Sequence, residues 1–123
     1  MKQTMFESLV EEFPNQEQQL DIIFRKLGLD KSFPNPNYRI RQNGKTTKGM
    51  ITIFIKMFLL KEFKLITFGG KTYSRIKFDC NLFGQILEKL YPKEILDECI
   101  ERTEFGFEII KDFDREVKEG SLT

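Results

Sequence analysis

Histidine is absent from this chain. Without an imidazole there is no Ser-His or Cys-His dyad, no histidine metal ligand and no proton shuttle near neutral pH. Cysteine is scarce: Cys80 and Cys99 stand alone, outside any CxxC spacing, so buried reduced thiols are expected rather than a disulfide or a metal pair. Long apolar runs are missing as well. Met50 to Leu60 is interrupted by Lys56 and falls well short of the roughly 20 apolar residues that cross a bilayer. The start, MKQTMFESLVEEF, has acids where a secretory signal would be apolar, and a cytoplasmic location without membrane contact is expected.

Carboxylates are the remaining candidates for chemistry. Asp97, Glu98, Glu101, Glu104 and Glu108 recur at spacings that would put 97 with 101, and 101 with 104 and 108, on neighbouring turns of a helix. None has the apolar setting that would raise its pKa, so they read as a solvated face. The run Gly44-Lys45-Thr46-Thr47 has the ending of a phosphate-binding loop without its beginning. Arg39 stands where the first glycine must be, and FPNPNY at 33–38 occupies the place of the preceding strand. The chain therefore reads as non-enzymatic, with neither cofactor nor metal.

What is present is a folded composition: 123 residues, 40% hydrophobic with 13 Phe, and 32% charged, enough for a single domain over 1–123. The net charge of +1 hides a division along the chain. Residues 1–24 carry one base and five acids, 25–76 twelve bases and two acids, and 77–123 seven bases and twelve acids, giving −4, +10 and −5. Such a block of cations attracts polyanions and exchanges counterions for phosphates. The alternative is that the acidic ends neutralise the basic middle within the fold.

Periodicity predicts a helix near 2–12, ended by Pro14-Asn15, and another over 16–27 with Gly28 as its stop. A short extended piece, YRIRQ, follows the Pro/Asn loop. Thr46 or Thr47 is expected to cap a largely buried helix reaching Phe63, whose one polar stripe is Lys45, Lys48, Thr52 and Lys56; the β-branched ITIFI leaves a strand as its alternative. In KLITFGGKTYSRIKF, two alternating runs flank Gly69-Gly70 and predict a β-hairpin over 65–78, with Tyr73, Arg75 and Lys77 on one face of its second strand. Helices are expected over 81–90 and from Pro92 almost to the frayed end, GSLT, with a bend near Gly106. The fold class is thus α+β, a mostly helical single domain with one hairpin near 65–78.

A helix ending FLLKEFKLI, followed by a glycine-turned hairpin with YSRIKF as its second strand, resembles the recognition helix and wing of winged-helix DNA-binding domains over residues 45–78. The resemblance implies groove contacts from Lys45, Thr46, Thr47, Lys48, Thr52 and Lys56, and backbone contacts from Lys71, Tyr73 and Arg75. The helix that should precede the recognition helix is not evident in DKSFPNPNYRIRQNG.

The expected function is a small regulatory or accessory protein that binds nucleic acid through phosphates, using Arg39, Arg41, Lys45, Thr47, Lys48, Lys56, Lys71, Tyr73 and Arg75. The alternative is a protein–protein adaptor or inhibitor, such as a mobile element encodes, acting through acidic C-terminal helices. A homodimer is a third expectation, since so many phenylalanines need cover.

Overall fold

The computed structural model describes residues 3–34 and 44–119, with side chains of the second stretch described from Thr46 onward. Helix α1 (Met5–Glu12) starts at a reciprocal cap. The Glu7 N–H donates to Thr4 Oγ1 at 3.0 Å, and the Thr4 N–H donates to the Glu7 carboxylate at 3.1 Å. After one 3-10 turn at Pro14–Gln16, helix α2 (Glu17–Leu27) turns Leu20, Ile23 and Phe24 inward. It stops at Gly28, whose φ of 71° is the left-handed conformation that closes helices.

Helix α3 (Gly44–Phe54) continues as one wider π turn at Ile55–Leu59. Ile51, Phe54, Ile55, Met57 and Phe58 have no exposed surface, so the β-branched ITIFI is helical because burial outweighs its local preference. Helicity from Gly44 puts Thr46 and Thr47 inside the first turn, not at the capping position expected of them.

The expected hairpin over 65–78 does not form. Strand β1 (Leu65–Thr67) is present, but the run from Tyr73 begins an 18-residue helix, α4 (Tyr73–Leu90). Thr72 caps it by accepting the Arg75 N–H at 3.2 Å, and Ile76, Cys80, Phe83, Leu87 and Leu90 form its inner stripe. Neither Gly69 nor Gly70 takes the positive φ that a tight hairpin turn requires. The wing of the winged-helix resemblance is therefore replaced by a strand and a helix start.

The long C-terminal helix is corrected in the same way. Helix α5 (Lys93–Cys99) is short, and strands β2 (Ile100–Arg102) and β3 (Gly106–Ile109) follow it. Strand β3 lies between β1 and β2 in an antiparallel sheet, pairing Leu65 with Glu108, Ile66 with Phe107, and Glu101 with Glu108 on its other side. One sheet face, with Phe107 and Ile109, packs toward α4, where Phe107 meets Phe83 at 5.5 Å. The chain then runs back as a strap without regular structure, pinned by Val117. The Val117 N–H donates to Gln19 Oε1 at 2.7 Å, and its carbonyl accepts from Gln19 Nε2 at 3.2 Å.

One hydrophobic cluster joins all these elements, and both cysteines lie in it as free, buried thiols. Most phenylalanines find cover there; the largely exposed ones among the described residues are Phe33 and Phe78. Among the described residues no helix is long and apolar enough to cross a membrane.

At Gly106 a Cβ would stand 1.7 Å from the Ile66 carbonyl oxygen, so β1 and β3 pair only with a bare backbone there. Gly106→Ala is expected to destabilise the fold by more than about 2 kcal/mol, against well under about 1 kcal/mol for Gly49→Ala in α3, whose Cβ meets nothing within 4 Å. Paired denaturant titrations check this.

Candidate nucleic-acid interface

Among the described residues, most cations of the basic block of 25–76 fall into three groups in space. The first is used internally. Arg25 on α2 pairs with Asp21 and with Glu119 of the strap, and Lys31 pairs with Asp21. These charges rim a shallow depression of about 620 Å³ beside Phe6, where each cation already has an acid. Lys48, expected on the nucleic-acid face, is only 9% exposed; its ammonium donates to Ser8 Oγ at 3.0 Å, tying α3 to α1.

The second group, Lys56, Lys61 and Lys64, lies around the C-terminal end of α3. Ten residues of helix separate Lys56 from Thr46, about 15 Å at helical rise, so this group is remote from the first turn of α3. Lys56 is half-buried and Thr52 is turned back onto its own helix, its hydroxyl donating to the Lys48 carbonyl at 2.9 Å.

The third group gathers at the start of α4. Lys71, Tyr73, Ser74, Arg75, Lys77 and Phe78 are all exposed. At 100° per residue, Tyr73, Lys77, Ser74, Phe78 and Arg75 follow one another round an open arc of about 200°, while Ile76, Asp79 and Cys80 occupy the covered side. Lys77 lies 5.7 Å from the centre of the Tyr73 ring, and the Arg75 guanidinium 5.4 Å from that of Phe78. Arg75 also donates to Thr46 Oγ1 at 3.3 Å, so the first turn of α3 borders the arc. On the other border the Tyr73 ring meets the edge of Phe105, in the β2–β3 turn, at 5.8 Å. The arc itself carries no carboxylate; Asp79 lies largely covered beneath it, 3.4 Å from Arg75 Nε.

Of the expected contact residues, Tyr73 and Arg75 thus share the arc, with Lys71 exposed two residues before it. Thr47 lies apart in a depression with Leu27, Leu82 and Lys89. Arg39 and Arg41, and the side chain of Lys45, lie outside the described residues. Phe78 was missed. Its place on α4, three residues after Arg75, is the signal that a strand reading conceals. The acids expected to share a helix face are instead divided between α5, β2, β3 and the β2–β3 turn. Among the described residues no group of three or more His, Cys, Asp or Glu side chains is placed to hold a metal ion.

The fold and this patch define a small α+β domain with a basic, aromatic-studded helix start. No protein-family model, curated protein or solved structure matches the chain.

The ion-paired group has a pH signature. The Lys31 ammonium, then the Arg25 guanidinium, hold the Asp21 carboxyl below its ordinary 3.8, and Arg25 holds Glu119 below its ordinary 4.5. Both carboxylates stay ionised in the fold where an unfolded chain takes up protons. Their stabilising contribution is therefore present above those ordinary values and lost as pH falls through the lowered ones. Melting temperature is expected to fall on acidification below pH 3.8, less steeply in Asp21→Asn. Lys48→Glu, placing a carboxylate in a covered site, is expected to cost at least about 2 kcal/mol of stability. Lys77→Glu, on the open arc and on the side of α4 away from Asp79, should leave the melting temperature within a few degrees of wild type, and thermal melts of the two variants check both.

Proposed function

We propose that the protein is a non-enzymatic nucleic-acid-binding accessory factor that contacts phosphates through the start of α4. The observation that supports this reading most is the open arc, on which Arg75 and Lys77 each lie against an exposed aromatic ring with no acid among them, while Lys71 stands exposed just before the helix. Charges placed in this way release counterions from a polyanion and give binding without chemistry. Arg75 is held in place by Thr46 and Asp79, so part of the side-chain ordering precedes binding.

With two cations on the arc and Lys71 just before it, log Kd is expected to rise with log salt at a slope of about 2 to 3. Lys71→Glu with Lys77→Glu should abolish retention on a nucleic-acid column at low salt while the circular dichroism spectrum is unchanged. Retention that ignores both salt and the double substitution would sink the reading.

A second reading, the protein adaptor, has one observation in its favour. Glu101 and Glu108 stand directly opposite each other on the sheet face away from α4, beside the exposed Leu65. Like charges in that relation repel, and a basic protein surface laid on the sheet would relieve them. In that case Glu101→Lys with Glu108→Lys releases the partner, and the α4 variants change nothing.

A further inference from the structure

We propose that the nucleic acid bound at the α4 arc is single-stranded, its bases stacking on Tyr73 and Phe78 while Lys71, Arg75 and Lys77 hold the phosphates; this rests on the phosphate-binding reading above. Tyr73 is 61% and Phe78 53% exposed, and Phe33 is the one other exposed aromatic side chain among the described residues. Two such rings on one polar arc gain nothing from water, and duplex DNA offers them little, because its base faces are covered by their neighbours. An unpaired strand presents those faces, and stacking on an aromatic side chain accepts any base.

The spacing agrees. Five residues of helix separate the rings, about 7.5 Å along the axis and about 140° around it, well beyond the 3.4 Å rise between stacked bases of a duplex strand. Bases held on both rings are therefore drawn apart from each other, which a flexible single strand allows and a stacked duplex resists. The cations fit the same arrangement. Arg75 and Lys77 each already lie against one of the two rings, so a stacked base brings its phosphate within reach of a cation. On the helical projection Lys77 and Ser74 fall between the rings, where the linking phosphate would pass.

The test is fluorescence anisotropy of the full chain with labelled mixed-sequence oligonucleotides of about 15 nucleotides, the site size of small single-strand binders. Single-stranded DNA, single-stranded RNA and the blunt DNA duplex of the same sequence are titrated at low salt. Single strands are expected to bind at least about tenfold tighter than duplex, and Tyr73→Ser with Phe78→Ser to weaken single-strand binding by about tenfold or more. Both side chains are exposed, so an unchanged thermal melt is expected, and Tyr73→Trp with Phe78→Trp should restore binding. Duplex bound as tightly as single strand, or a Ser double variant that binds like wild type, overturns single-strand stacking while leaving phosphate contact intact. No binding to any of the three oligonucleotides overturns the phosphate reading and this one with it.

Discussion

The fold hangs on the ring of Phe58. Fully buried in the π turn that ends α3, it stacks on Phe54 at 4.8 Å and lies 5.7 Å from Tyr91, 6.3 Å from Phe113 and 6.5 Å from Phe83. Those four rings belong to α3, the end of α4, the C-terminal strap and the body of α4. Phe83 extends the chain of contacts to Phe68 and to Phe107 of the sheet. Each pair adds roughly 0.5–1.5 kcal/mol beyond its buried area, and together they join parts of the sequence that share no hydrogen-bonded ladder. Removing that ring would open a cavity shared by α3, α4 and the strap, a change of the kind that costs about 3–5 kcal/mol.

This constraint also explains where the polar groups go. A helix covered on nearly every side has open surface only near its ends. The first turn of α3 meets the first turn of α4 through Thr46 and Arg75, and the cations at its far end are stranded around Lys56 and Lys61. The one lysine left along the middle, Lys48, is covered and satisfied by Ser8. Of the two ideas the charge pattern left open, internal neutralisation accounts for part of the described basic residues. Arg25 and Lys31 go to acids, while Lys71 and Lys77 are exposed and Arg75, exposed too, reaches back to Asp79.

The sequence was legible where local chemistry and tertiary packing agree. Leu20, Ile23, Phe24 and Leu27 with Gly28 mark α2 nearly to the residue, and the apolar span after Met50 marks a buried helix. It misled where two periods overlap. Tyr73 to Phe78 alternates like a strand, yet Ile76, Cys80, Phe83, Leu87 and Leu90 already keep helical spacing, and Thr72 supplies the cap. Strand β1 was found with the wrong partner, because its mate at Gly106–Ile109 lies some forty residues on and only a contact between distant segments reveals it. That strand, in turn, hid in a stretch rich in helix-forming Glu, where Gly106 marked a close backbone approach and not a bend. The candidate site suffered from the same confusion: on a strand Phe78 falls on the face opposite Tyr73, Arg75 and Lys77, whereas on α4 it stands with them on the open arc.

The central claim is that residues 73–90 form one helix whose first two turns meet a polyanion. It is tested most directly by backbone NMR of the labelled protein, free and titrated with a short oligonucleotide. The account requires helical carbon shifts from Tyr73 through Leu90, and oligonucleotide-induced changes concentrated at Lys71–Phe78 and at Thr46. Extended shifts over 73–78, or changes confined to the Glu101–Glu108 sheet face, would contradict it.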